Sequence, residues 1–572
     1  MKKTLYILFL ILAFGLKTWA QEEKKVTFNG TARSLFYGDK LTEDSSVEDT
    51  ITVPRLNSGH VLVDLGVNIR PNKNTEIQGM IRVRNDYGGF WGSGVTFDVR
   101  QLSARGVIGG IVRYQLGDIN YKMSRYTMWN YDQELISNTP AVFRQQTDLV
   151  NYDHFYFNDN SRRQQGAAAE FALVFKKYVK ELQFHAVTTR VKTSDFSATN
   201  DRLFSGLNAR LIQSKYFQIG VNYANLYDIP GTSRNKSIFI NPVLTADYKI
   251  SYSYKNWEAN LNGEIGKSST RYKNNTEAPD WDGRLNELNA FIKENKYGVS
   301  LNVQMKYVGS AFRSPGAQTK RIDFTGLPLA YSRITNEQQL RALSTMDLMR
   351  ESDMYNLQIQ PYLMAFSPQY DNITPYGDAT PNRQGYTLTL GYAPKKLPVT
   401  ASVSRLAQEE VKGEGTIFPR VFTRNEITLG TDINKFFPAW KKTMKLTMNY
   451  RSDLTTREPE ELVRDVNLET SVVNLGLEIE TIQLLDLLVG WQEVKYKGFD
   501  YTAIRDTYSE IYNFSEFKAD GNETMRAIGL RYRFSDKTNL SFQLNEYKIR
   551  NEQDLVPQYK VRQFMLLFLM KF

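Results

Sequence analysis

From Val26 onward, apolar and polar residues alternate with a period of two along most of the chain, the mark of strands with one apolar and one polar face. Val26–Tyr37 is the first such segment. In the second, Val61, Val63, Leu65, Val67 and Ile69 share a face opposite Asp64, Asn68 and Arg70. In the third, Ile77, Gly79, Ile81 and Val83 oppose Glu76, Gln78, Arg82 and Arg84. The alternation returns at Phe171–Phe175, Ile427–Ile433, Met444–Tyr450 and Ile528–Phe534. Each lies in a segment of about the 9–11 residues that a tilted strand needs to cross a hydrocarbon layer.

Short connections alternate with long ones. Arg70–Asn74, Lys176–Lys180, Ala393–Pro398 and Ser535–Thr538 are short; 38–58, 118–162, 228–241, 267–283, 309–352, 451–467 and 498–521 are long. The tally closes at about 22 strands if Asp353–Phe366 belongs to a loop, and at about 24 if it crosses with a partner near Asp371–Thr380. The expected fold is therefore all-β: a transmembrane antiparallel β-barrel of about 22 strands, within a range of roughly 18–24 and even in number. Short turns would face the periplasm together with both termini.

The two ends of the chain point the same way. Lys2 and Lys3, the apolar run Leu5–Leu16 and the small-x-small site Thr18-Trp19-Ala20 read as a cleaved signal peptide over residues 1–20. No other stretch approaches the length of a spanning helix. Alternation starts just after this junction, so no N-terminal plug domain is expected, and residues 21–572 form one barrel. At the other end Phe564, Leu566, Phe568, Met570 and Phe572 share one strand face. This ending resembles the C-terminal signature of bacterial outer-membrane barrels, which implies that Phe564, Phe568 and Phe572 act as a membrane-insertion signal.

Composition sharpens the picture. Tyr 34 and Phe 32 are high counts for a chain whose mean hydropathy is still polar, at −0.46. A barrel reconciles the two, because lipid meets only every second residue. Cysteine is absent, which excludes disulfides, a lipidated N-terminal Cys and thiolate metal sites. Without the signal peptide, 69 basic residues face 62 acidic ones, a charge of +7 that is scattered and gives no reason to expect nucleic acid.

Little in the sequence carries catalytic chemistry. The three histidines, His60, His154 and His185, are far apart, and no zinc pair, nucleophile elbow or Walker loop occurs. His154, in the loop Asn151–Asn160, is the one catalytic candidate, and a loop histidine is more often simply solvated. Asp280-Trp281-Asp282-Gly283 and Asn158-Asp159-Asn160 offer oxygen ligands for Ca²⁺ without a fixed ligand spacing. No cofactor, metal or enzymatic activity is expected.

Two long loops, 118–162 and 309–381, carry structure of their own. The first is rich in aromatics, Tyr152 among them. The second predicts a helix from Asn336, as cap, to Ser352, with Gln339 three residues on and Leu340, Leu343, Met346 and Met349 at three-residue spacing. Either could fold into the lumen or outward as a cap.

On the inward face, Arg82, Arg84, Arg100 and Arg113 are expected near one another, with Asp64, Glu76 and Asp98 as partners. Late strands add Arg531, Arg533 and Lys445. Two readings stay open: a pore-lining selectivity ladder for anions, or an Arg–carboxylate network that stiffens the wall. Facing lipid would cost each Arg about 2–4 kcal/mol at the midplane.

The Ala20-Gln21 junction, Tyr- and Asn-rich loops, the Thr380-Pro381-Asn382-Arg383 entry to a strand and the terminal Phe572 together resemble outer-membrane β-barrel proteins of Bacteroidota. The expected function is a porin-like channel or transporter for small solutes, to which the inward Arg row adds a modest anion preference. The alternative is a non-transporting barrel subunit of a protein assembly or secretion machine. Expected partners are outer-membrane lipid and lipopolysaccharide, the assembly machinery during biogenesis, and envelope proteins held by the long loops.

Overall fold

The computed structural model describes residues 25–43, 55–87, 94–129, 139–155, 163–320, 334–335, 338–340, 344–345, 347, 367–437, 439–461, 463–506, 510–553 and 558–572. The signal-peptide segment, Asn158–Asn160 and Asp353–Phe366 lie outside these residues.

Twenty-two strands pair antiparallel into one closed sheet. In chain order they are β1 (Val26–Glu43), β2 (Arg55–Asn72), β3 (Thr75–Asp86), β4 (Val95–Ile108), β5 (Val112–Asn120), β6 (Arg163–Val174), β7 (Glu181–Lys192) and β8 (Arg202–Ile212). Next come β9 (Phe217–Asp228), β10 (Ile238–Tyr254), β11 (Trp257–Lys273), β12 (Trp281–Glu294), β13 (Val299–Val308), β14 (Arg383–Tyr392) and β15 (Val399–Glu409). The circuit ends with β16 (Val421–Asp432), β17 (Met444–Arg457), β18 (Val466–Ile482), β19 (Leu485–Arg505), β20 (Ile511–Ser535), β21 (Thr538–Asn551) and β22 (Gln558–Lys571).

Closure runs from Thr31↔Lys571 to Glu43↔Tyr559. Phe572 and Gly30 exchange backbone hydrogen bonds of 3.1 Å in both directions. A Cβ on Gly30 would come within 2.7 Å of the Phe572 ring, so the seam has a glycine where the last ring lies down.

The alternation sorts the faces as expected. In β2, His60, Leu62 and Asp64 are buried inside, while Val61, Leu65 and Ile69 are exposed outside. Outward apolar residues such as Ile81, Val221, Leu261, Ile427, Ile528 and Leu544 continue this band around the barrel. A closed antiparallel sheet with such a band is the surface a bilayer covers, since no edge is left unpaired. No helix among the described residues is long and apolar enough to cross a membrane.

Short turns, such as 73–74, 255–256 and 536–537, sit at one end, and both 309–382 and 121–162 leave from the other. Two sequence expectations need correction here. The 498–521 segment is mostly strand: β19 and β20 pair up to Arg505↔Ile511, with one register shift after Ile504. Outward residues there become polar beyond the apolar band, so the alternation fades although the ladder continues. The helix expected from Asn336 also starts later. Gln338–Leu340 is a short strand paired with Thr319–Lys320 and Ile334–Thr335, where β-branched Ile334 and Thr335 favour extension. Helical residues appear at Thr345 and Asp347. There the Asp347 carboxylate accepts the Ser344 backbone N–H at 2.8 Å, one half of a capping box.

Candidate functional site in the barrel lumen

The described parts of both long insertions fold inward. The first contains helix α1 (Ala141–Phe155), which the aromatic content of the loop did not announce. Its signal is a stripe at three- and four-residue spacing: Val142, Phe143, Gln146, Leu149 and Val150 are all buried. Val142 and Phe143 pack on Leu468, Val472, Leu488, Val494, Met525 and Ala527 of β18–β20. The inner face of those strands thus carries an apolar patch where a water-filled lumen would be polar. Burying an aliphatic or aromatic side chain there stabilises by about 1.5–3 kcal/mol each, which holds the helix against the wall.

The far end of α1 reaches the early strands. Asp153 pairs with Arg33 of β1 and with Arg82 of β3 at 3.0 Å. Arg82 in turn grips Asp64 through two hydrogen bonds of 2.7 and 2.6 Å. Arg100 donates to the Tyr152 carbonyl at 2.6 Å and lies 3.5 Å from Asp64. The Tyr152 hydroxyl donates to Asp64 at 2.6 Å, and its ring lies under the Arg100 guanidinium, 4.8 Å from the centroid. Burial, helped by the Asp64 charge, pushes the Tyr152 hydroxyl above its ordinary value, so it stays a donor. His60 completes the cluster through Arg33, 2.8 Å away.

The structure brings Arg82, Arg84, Arg100 and Asp64 together as expected and separates the rest. Arg84 pairs with Asp86 at 2.7 Å. A register shift between Met80 and Ile81 in the β3–β4 ladder puts Arg100 and Gln101 both inward, a bulge that the sequence did not signal. Asp98, across from Arg82 in the ladder, is exposed and makes no ion pair among the described residues. Glu76 binds Arg105 at 3.0 Å near the short turns. Arg113 does not join the cluster: as the second residue of β5 it sits at the short-turn rim, where it faces Glu170 at 3.4 Å. Side-chain period gave the correct face, but only register gives height. Arg531 and Arg533 form their own network on buried Asp486, at 2.7 and 3.0 Å.

The opposite wall carries a carboxylate cluster, with Arg210 bound to Asp247 at 2.8 Å and Lys306 beside Glu287 in the ladder. Asp247, Glu264 and Glu287 are ladder partners on β10, β11 and β12, half of the 22-strand circuit from the Arg cluster. The first insertion reaches them too: Ser124 donates to Glu264 at 2.5 Å, and Arg125 lies 3.2 Å from Glu287. The second insertion docks beside it. Phe312 lies so close to β12 that a Cβ on Gly283 would come within 2.2 Å of its backbone. Further along, Tyr370 donates to Glu523, and Asn372 donates to Thr455 and Asp500 at 2.7 and 3.1 Å. Residues 123–129 and 141–155 therefore span the lumen between opposed walls.

The remaining candidates are plain. Asp280 and Asp282 are both bound by Arg271, at 3.2 and 2.7 Å, so the cation ligand set is already used. His185 lies 3.1 Å from Glu170. His154 lies on α1. Among the described residues, no group of three metal-ligating side chains occurs.

No family model matches the chain, and no curated protein matches it. Solved structures similar to it include OccK8 (OprE) of Pseudomonas aeruginosa, 9% identical, covering 97% of this chain and 100% of that one, with a TM-score of 0.37. A BenF-like porin from Pseudomonas fluorescens Pf-5 is 10% identical over 96% and 99%, with a TM-score of 0.37. The outer membrane channel DcaP of Acinetobacter baumannii is 9% identical over 97% and 100%, with a TM-score of 0.28. Similarities this low carry no inference about activity; the barrel stands on its own closed ladder of 22 strands.

Proposed function

We propose that this protein is an outer-membrane channel for small polar solutes whose lumen is narrowed by the inward-folded insertions. The observation that carries the reading is the span of residues 123–129 and 141–155 across the lumen, tied to Arg82 and Arg100 on one wall and to Glu264 and Glu287 on the other. These four side chains are buried against the inserted segments, which therefore narrow the passage left to a solute at that level.

Anion preference is the finer part of the proposal, and it is weak. Arg33, Arg82, Arg84 and Arg100 face Asp64, Asp86 and Asp153, so most of their charge is balanced locally. Placement in an outer membrane, with short turns in the periplasm, belongs to the same proposal, as do the signal peptide and the Bacteroidota affinity. Liposome swelling tests it: purified protein should admit small sugars and organic acids and exclude larger oligosaccharides. Vesicles that stay impermeable to all of them, with folded protein inserted, would overturn the reading and favour the scaffold.

A further inference from the structure

On the outer surface, the apolar band of the late strands stops at a row of charges. Trp491, Arg526, Glu546, Arg562 and Lys40 are successive ladder partners across β19, β20, β21, β22 and β1. Directly opposed side chains in such a ladder stand about 5 Å apart. One step toward the short turns, the same ladder reads Val489, Ile528, Leu544, Phe564 and Gly38; one step away, Lys548 and Lys560 sit side by side. All of these alternate with buried inward neighbours such as Met525, Ala527, Tyr547 and Ile549, so they project outward.

The row holds more positive charge than it neutralises. Glu546 sits between Lys560 and Arg562, at 2.5 and 3.3 Å. Arg526, Lys548 and Lys40 make no ion pair among the described residues. Below them Phe564 packs on Phe36, ring centroids 5.6 Å apart, and Phe36 on Tyr87 at 6.2 Å, an aromatic shelf beside the closing seam. Outward on β11 and β12, Lys267 and Arg284 form one basic ladder pair, and Arg271 beyond them is bound by Asp280 and Asp282.

We infer that this face binds a phosphorylated glycolipid of the outer leaflet, with its phosphates on Arg526, Lys548 and Arg562 and its acyl chains on the row of Val489, Ile528, Leu544 and Phe564. Guanidinium and ammonium groups above an apolar surface match a headgroup that carries phosphate over several chains. The inference rests on the proposed orientation, which puts this row at the long-loop end.

The test uses purified full-length protein in detergent and native mass spectrometry to count retained lipid. Three probes are compared: bisphosphorylated lipid A, the same glycolipid after phosphatase treatment, and phosphatidylglycerol. Wild type should retain the bisphosphorylated form about tenfold better than either other probe. Combined Arg526→Ser, Lys548→Ser and Arg562→Ser should remove about tenfold of that retention, while Lys267→Ser with Arg284→Ser should leave it unchanged. Equal retention of the dephosphorylated glycolipid by wild type overturns the site without any variant. Equal retention of phosphatidylglycerol reduces it to a general anionic surface and also overturns it. Liposome swelling on the same samples separates the two readings: lost lipid retention with solute passage intact rejects this site alone.

Discussion

Tyr152, on a helix inserted between β5 and β6, donates a 2.6 Å hydrogen bond to Asp64 on the wall strand β2, 88 residues earlier. That contact joins an inward-folded loop to the same carboxylate that Arg82 grips. Tyr152→Phe removes one donor to a buried charge and should lower stability by about 1.5–3 kcal/mol without changing the fold. Equilibrium unfolding in detergent checks this; an unchanged midpoint would show that α1 is not held there.

Arg82→Ser leaves Asp64 and Asp153 under-compensated in a buried setting and should cost about 3–5 kcal/mol. Arg84→Ser loses the pair with half-exposed Asp86 and should cost less than the Arg82 change. The reversal potential under a salt gradient should move only slightly toward cations in either variant. A large shift with full stability would restore the selectivity ladder.

The seam between β1 and β22 predicts an assembly defect. Phe572→Asp replaces the ring that lies on Gly30 with a charge on the lipid side, and outer-membrane levels should fall while periplasmic degradation rises. Quantitative blotting of membrane fractions measures it. Normal amounts would argue against a role of the terminal ring in insertion.

Topology is tested by single cysteines in this Cys-free chain. A cysteine at Ser233, in the connection between β9 and β10, should react with an impermeant reagent on whole cells. One at Asp536, between β20 and β21, should not. The reverse pattern inverts the barrel.

Outer loops also carry a pH signature. The Asp195 carboxylate accepts the backbone N–H groups of Ser197, Ala198 and Thr199, and these bonds hold its pKa at about 2. A depressed carboxylate contributes its stabilisation above its ordinary pKa near 3.8 and loses it as pH falls through about 2. Hydrogen exchange at Ser197–Thr199 should therefore stay protected at pH 4 and open near pH 2. Exchange that opens already at pH 4 would contradict the bonded geometry.

Strand number, faces and the alternation of short and long connections were legible in the sequence, because a residue period of two and turn residues are local signals. Register was not. Arg113 shares a face with Arg100 but sits at the short-turn rim, since height depends on which residues pair across strands. The lumen filling was half visible: Leu487-Leu488-Val489 puts bulk on both faces of β19, a sign that something packs inside. Asp153 and Tyr152 gave no such sign, because their partners Arg33 and Asp64 are brought to them only by closure of the ring.

The most direct test of the account is single-channel conductance in a planar bilayer, with wild type beside Asp153→Ala. Asp153 ties the end of α1 to Arg33 and Arg82, so its loss should loosen that end at the basic wall while Val142 and Phe143 keep the start of the helix packed. The account predicts small, stable conductance steps in wild type and larger steps in the variant, both from folded, heat-modifiable protein. Electrical silence from both proteins, correctly inserted, would contradict it.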